Sequence, residues 1–539
     1  MKKLLNWFDN NIFTIFSFFF LAFIPLYPKI PLFELITGYI VRVRLEDIFL
    51  LIAFLVFLIQ LVRKKATIKT IIFWPMVIYI VIGFLSSLSA IFLIKTVPLE
   101  KIHVLKLFLH WLRRVEYFSI FYIFYNGIKN FKVARKMLIF SAFILIAVAI
   151  YGYGQKYLYW PVYSTMNREF SKGMKLYLTE HARVPSTFGG HYDLAAFTVI
   201  FLTLFISFYF LLSKKLLRWL YLGVFILIYW LLILTASRAS FIAYLVTITV
   251  LLIILSFKKG VWWSLSRWFV LISLSMFVMI FFGDLSDRFA QLLKMPEIRE
   301  KYQLDKLLRP FKPAPVKFVT LSKDIQLVMD VTDERPVPQK PQQGGNTANL
   351  PADVYEDIPD SYEEASKSAT MAGFLTATVS AELAPVARTF SENAYKYGLS
   401  TAIRLDTLWP RAIAGFKKNI LLGSGYSTLT KETVGQFTEA ESTDNDYLRT
   451  LGETGLLGFI SFFGIIFIIL FNVIKFLRKE LDPFLLAFIA GFISFSIGLL
   501  INALYIDVFE ASKVAFIFWA LTGILLASLY KDKYIKNAK

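Results

Sequence analysis

Cationic and small residues gather between Arg404 and Gly458. The stretch reads RLDTLWPRAIAGFKKNILLGSGYST and, after a short polar gap, TDNDYLRTLGETGLLG, before an apolar segment from Phe459. Arg404, Arg411, Lys417 and Lys418 fall on a predicted helix, with Arg404 and Arg411 on one face and Trp409 and Phe416 placed to pack it down. Gly423-Ser424-Gly425 gives backbone amides freedom to approach a ligand, a weak signal by itself. Guanidinium forks match phosphate oxygens. Forks at the lip of an apolar segment suit a substrate with a phosphate head and a lipid tail.

Two further segments carry candidates. TASRAS (235–240) sits between apolar runs with almost no loop to spare, so Arg238 lies at the membrane surface or in a protein cavity. A charge there is costly unless it is paired, solvated or bound to an anion; a snorkelling or salt-bridged arginine is the structural alternative. In RVPSTFGGHYDLAAF (183–197), Gly189-Gly190 permits a sharp turn into a helix whose start Asp193 caps, with Arg183 one short loop upstream and His191 beside the turn. A plain Gly-Gly turn with a capping Asp is the alternative there.

These segments must be positioned by a membrane architecture. The 539 residues are 57% hydrophobic and 18% charged, with a mean hydropathy of +0.60. Apolar runs fall near 11–27, 46–62, 71–94, 112–128, 137–154, 191–212, 219–235, 239–256, 265–283, 455–475, 482–503 and 513–530, about twelve spans in an all-α polytopic membrane protein. The run Ile12–Leu26 lacks a small-residue cleavage site and reads as a retained span. With the amino terminus inside, 63–69, 129–136, 213–218, 258–260, 475–480 and the tail are cytoplasmic, and all are basic. That register explains the net charge of +20 by topology and anionic lipid, with no nucleic acid partner. The absence of cysteine excludes disulfides and thiolate chemistry.

The organisation is then nine spans over 1–283, a large extracytoplasmic loop over 284–454, and three spans with a cytoplasmic tail over 455–539. Within the loop, 296–399 looks like an insertion, with a β-like stretch at PVKFVTL, a mobile linker at 335–362 and an Ala-rich helical stretch at 363–400; 400–454 is a helical, basic part. Leu99–Val115 has the spacing of a helix in the membrane interface, or of an extension of the next span. Asp444-Asn445-Asp446 has the spacing of a metal clamp for nucleotide sugars, but those are cytoplasmic and this loop is expected outside.

Taken in order, STFGGHYDLAAF (186–197), LTASRAS (234–240), RLDTLWPRAIAGFKKNILLGSGY (404–426) and DNDYLRTLGETGLLG (444–458) resemble the O-antigen ligase and O-antigen polymerase family of bacterial membrane glycosyltransferases. The resemblance covers most of the membrane region and leaves out 296–399. It implies metal-independent, cofactor-free, inverting transfer of a glycan from a polyprenyl (undecaprenyl) pyrophosphate carrier to a glycan or glycolipid acceptor hydroxyl. The setting it implies is the outer face of the bacterial inner membrane, among other polysaccharide-assembly proteins. A pyrophosphate leaving group needs cations for its developing charge, which assigns Arg238, Arg404, Arg411 and Arg183 to it. Gly189, Gly190, Gly423, Gly425, Asn445 and Tyr447 shape the site. The acceptor hydroxyl needs a base: Asp444, Glu441 or His191. Ligases of the family carry a histidine at the position of Asp444, so ligase and polymerase both stay open. A flippase or exporter of lipid-linked glycans is the competing reading, and a membrane anchor presenting 296–399 a third. Spans nearly free of charge at their centres, with polar residues collected on one face, favour surface chemistry over translocation, and the anchor reading leaves Arg238 and Arg404–Gly458 without a role.

Overall fold

The computed structural model describes residues 2–35, 42–166, 170–179, 182–281, 355–357, 401, 403–429 and 442–531. Among them eleven helices are long and apolar enough to cross a membrane. In chain order the α-helices are α1 (Lys2–Leu26), α2 (Leu45–Val62), α3 (Phe73–Leu88), α4 (Lys101–Gly127), α5 (Phe131–Tyr157), α6 (His191–Leu211), α7 (Lys215–Leu234), α8 (Arg238–Lys259) and α9 (Val261–Phe281), followed by α10 (Trp409–Lys418), α11 (Asp446–Ile474), α12 (Pro483–Asn502) and α13 (Ser512–Tyr530). Each apolar run of the sequence lies on one of them.

The stretch 99–115 is the extension of the next span: from Lys101 it is the first half of α4, whose Arg113, Arg114 and Glu116 make it too polar to count among the eleven. Two other segments differ from expectation. Helix α11 begins at Asp446, well before residue 455, where Asn445 caps it, and it kinks at Gly455 (φ 68°, ψ −168°), where the apolar run starts. Inside the stretch read as a linker, Tyr355–Asp357 forms a strand, β2, antiparallel to β1 (Leu176–Leu178) with Leu176 opposite Asp357. The PVKFVTL stretch and 363–400 lie outside the described residues.

The centre of the bundle is α6, α12 and α13, whose surfaces are almost wholly covered, while α9 at the rim is largely open. Between apolar helices in lipid there is little hydrophobic drive to associate, so close approach and interhelical hydrogen bonds carry the packing. A Cβ on Gly498 would sit 2.0 Å from Thr247 Cγ2, and one on Gly523 would sit 2.7 Å from the Phe121 carbonyl oxygen. Thr203 donates to Thr247 across α6 and α8 at 2.8 Å, and Ser207 donates to the Ala487 carbonyl on α12 at 2.8 Å.

One end of this bundle collects the ends of α1, α7 and α12 and the starts of α6, α8, α11 and α13. The buried Lys513 holds it together, donating to the carbonyls of Tyr27 at 2.7 Å, Thr187 at 2.8 Å and Pro25 at 3.3 Å. Asn502 at the end of α12 donates to Ser240 on α8 at 3.0 Å, and the Asp446 amide donates to the Ala503 carbonyl at 2.9 Å.

Candidate functional site

The turn between α12 and α13 is the polar hub of that end, although its sequence, NALYIDVFEASK, reads as mostly apolar. Asp507 accepts hydrogen bonds from the amides of Asn445 (2.7 Å) and Thr443 (3.2 Å) and from the hydroxyls of Thr443 (3.1 Å) and Ser442 (2.7 Å). It also pairs with Arg449 at 2.9 Å. These bonds fix the DND turn. Asn445 caps α11, accepting from the Leu448 amide at 2.9 Å, and donates to the Leu504 carbonyl at 3.1 Å. Tyr447 donates to the Leu500 carbonyl at 2.7 Å and stacks on Phe463, so both residues shape the site and carry no chemistry.

Asp444 takes a left-handed conformation (φ 49°), which a short polar side chain tolerates. Its carboxylate meets Arg404 at 2.8 Å and accepts from Ser442 at 2.9 Å. Burial pushes this carboxyl above the usual carboxylate range, against the pull of the Arg404 guanidinium. Arg404 is only 6% exposed. It opens a π-helical turn, Arg404–Leu408, and also reaches the Tyr505 carbonyl at 3.4 Å, while Trp409 rests against the Tyr505 ring.

From the loop before α6, Arg183 Nη1 meets His191 Nε2 at 2.5 Å and the Tyr192 hydroxyl at 3.2 Å. His191 is buried, and its Nδ1 has no hydrogen-bond partner among the described residues. A proton on Nε2 would set an imidazolium against a guanidinium, which argues against His191 as the base in this arrangement.

Arg238 is the first residue of α8, after Ser237 caps the helix through the Ser240 amide. It is half-buried and, among the described residues, makes no hydrogen bond or ion pair. The charges that act on it through space are Arg183 and Arg404, beside the Tyr192 phenol. Three arginines from three distant segments therefore lie within electrostatic reach at Arg238, and Arg404 among them pairs with Asp444. Like cations brought close out of bulk water repel one another, and a bound polyanion relieves that repulsion.

Several sequence expectations take a different form. Arg411 is half-buried on α10 and is not among the cations acting on Arg238. The Gly423–Gly425 amides are spent on α11: the Ser424 amide donates to the Gly452 carbonyl at 2.8 Å and the Gly425 amide to the Glu453 carbonyl at 2.9 Å. These glycines let a loop pack on a helix; they do not free amides for a ligand. Gly190 is the N-cap of α6 in extended backbone, and Gly189 is small because a Cβ would sit 2.2 Å from Thr165 Oγ1. Asp193 makes no capping hydrogen bond. Glu441 lies outside the described residues.

Sequence reasoning passed over Asp507, Glu510, Arg449 and Asn502. Their signal was present: Asp507 and Glu510 are the only acids between two apolar runs. Arg449 also approaches Glu453 at 3.5 Å and Glu510 at 3.8 Å, and Glu510 pairs with the buried Arg114 of α4. Burial pushes Glu510 up, but Arg114 and Arg449 outweigh it and hold the carboxyl below its usual range. Compared with known proteins, the chain matches no family profile and no curated sequence.

Proposed function

We propose that the chain is a membrane glycosyltransferase of the O-antigen ligase and polymerase kind. It would move a glycan from a polyprenyl pyrophosphate carrier onto an acceptor hydroxyl at the outer face of the inner membrane. The observation that carries this reading is the half-buried Arg238, which among the described residues makes no hydrogen bond or ion pair and on which Arg183 and Arg404 act through space. In glycan transfer from a pyrophosphate the anomeric bond to the leaving oxygen breaks and negative charge grows on the pyrophosphate. Preorganised guanidinium groups stabilise that charge with no reorganisation at the moment of reaction.

Orientation follows from charge. The connections at the opposite end of the bundle, 63–69, 129–136, 213–218 and 475–480, are basic, so the arginine end is assigned to the outside. There a polyprenyl carrier presents its head group while its tail stays in the bilayer.

The test is to incubate the purified chain with lipid-linked oligosaccharide, with and without a candidate acceptor. A product ladder without acceptor identifies a polymerase, and a single transfer only with acceptor identifies a ligase. Movement of intact lipid-linked glycan across a vesicle membrane with no new glycosidic bond would overturn the reading in favour of a flippase.

A further inference from the structure

The arginines supply a place for the pyrophosphate and leave the sugar it carries without one. The turn between α12 and α13 offers a surface for it. Tyr505 stands in that turn and is 45% exposed, with Leu504 exposed beside it. Much of the exposed apolar surface of this chain lies on the faces of the spans, as lipid contact requires. Tyr505 lies outside them, past the end of α12 at Asn502 and before the start of α13 at Ser512.

Direct contacts set its place at the site. The Tyr505 carbonyl accepts from Arg404 Nη2 at 3.4 Å, and Arg404 meets Asp444 at 2.8 Å. The Asp444 side chain is 30% exposed, so the ion pair is open to a ligand. The Trp409 amide donates to the Arg404 carbonyl and closes the π-turn, which puts the indole one turn along from the guanidinium. The Trp409 and Tyr505 rings lie 6.2 Å apart, centroid to centroid, at 53°. On the other side, the Leu504 carbonyl accepts from Asn445 at 3.1 Å and the Ala503 carbonyl from the Asp446 amide at 2.9 Å. The aromatic pair is therefore tied both to the Arg404 turn and to the DND turn.

A rigid, accessible ring beside a guanidinium and a carboxylate suits a pyranose. The C–H face of the sugar packs on the ring, and its hydroxyls reach the charged groups at the edge. We propose that Tyr505, backed by Trp409, is a stacking subsite for the sugar that the donor joins directly to pyrophosphate. This rests on the glycan-transfer reading above, in which Arg404 takes pyrophosphate oxygens. The structural alternative is an interfacial tyrosine that anchors the turn among lipid head groups, where such residues concentrate.

The experiment measures binding of two ligands to the full chain in detergent. One is polyprenyl pyrophosphate without sugar; the other is lipid-linked oligosaccharide extracted from the host cells. Wild type is compared with Tyr505→Ala, Tyr505→Leu and Tyr505→Phe. We expect the alanine and leucine variants to melt like wild type and to bind the sugar-bearing carrier about tenfold more weakly. Both should bind the bare carrier as wild type does, and Tyr505→Phe, which keeps the ring, should match wild type for both ligands. Equal loss for the two carriers, or loss in Tyr505→Ala that Tyr505→Leu restores, would overturn the inference and make Tyr505 a lipid anchor. Undiminished binding of the sugar-bearing carrier by Tyr505→Ala would overturn it as well. So would failure of both the alanine and leucine variants to fold, which would assign the ring to the scaffold. Sugar-dependent binding by a wild type that forms no glycosidic bond would overturn glycan transfer alone and leave the subsite standing.

Discussion

Arg238 is where the chemistry is most exposed to test. Among the described residues Arg238 has no ion pair to hold it and two other arginines act on it through space, so its removal should relieve repulsion and leave the fold intact. Arg238→Ala should express and melt like wild type, or slightly higher, yet lose glycan transfer about 10²–10³-fold, the scale of one preorganised donor to a developing anion. Arg238→Lys should remain poor, because a point charge does not reproduce the two-pronged contact with phosphate oxygens. A transfer rate within a factor of two of wild type in Arg238→Ala would dismiss the cluster as the leaving-group site. This arginine was legible in the sequence because TASRAS leaves no loop to hide it in. Asp507 was not, since an acid between spans reads as a loop. Its five donors are brought to it by tertiary packing alone.

The elements that hold the site were read well where a period shows and poorly where the backbone breaks it. The apolar runs gave the helices, but neither the π-turn at Arg404–Leu408 nor the kink at Gly455 has a hydrophobic signature. The π-turn changes the phase between Arg404 and Arg411, which explains why one faces Asp444 and the other does not join it. At Gly455 a Cβ would stand 2.4 Å from the Leu421 carbonyl atoms, and its φ of 68° suits glycine alone. There the 420–425 loop locks onto α11 through the Leu456 amide, which donates to the Ile420 carbonyl at 2.8 Å. Gly455→Ala should therefore destabilise the chain by about 2 kcal/mol or more, from backbone strain and the clash together. Thermal unfolding in detergent checks it; a melting temperature unchanged from wild type would mean the kink relaxes without cost.

A buried ion network ties α4, α11 and the 503–511 turn. Glu510 lies between Arg114 and Arg449, beside a cavity of about 10 Å³ lined by Tyr79, Arg114, Asp446 and Thr450, room for a single water. Because Glu510 is held below its ordinary value of 4.5, folding favours its ionised form. Its contribution is full above 4.5 and is lost as pH falls through the lower value of the folded protein. The melting temperature should thus drop on acidification below pH 4.5, and less so in Glu510→Gln, which has lost the titrating group. At neutral pH that variant should already be less stable by about 3–5 kcal/mol, since two buried guanidinium groups lose a shared carboxylate. Equal acid sensitivity in wild type and Glu510→Gln would move the effect to another group.

For the whole molecule, the donors within reach of the arginine end depend on which way the bundle sits in the membrane. The arginine end and the basic connections lie at opposite ends of the same helices, so one assignment fixes both. If the arginine end faced the cytoplasm, the six basic stretches would all lie outside, against the insertion bias that sets orientation, and a lipid-linked donor already flipped outward would be out of reach. The sequence contains no cysteine, so a single introduced thiol reports without background. Glu100, whose side chain is 71% exposed before α4 at the arginine end, and Ser213, exposed between α6 and α7 at the other, are suitable sites. In intact spheroplasts a membrane-impermeant maleimide should label Glu100→Cys within minutes and leave Ser213→Cys untouched until the membrane is opened. The Ser213 change exchanges one small side chain for another, so a loss of signal there reports access and not misfolding. Labelling in the reverse order would turn the arginine cluster to the cytoplasm, where nucleotide-linked donors are found and the case for a polyprenyl pyrophosphate at Arg238 would no longer hold.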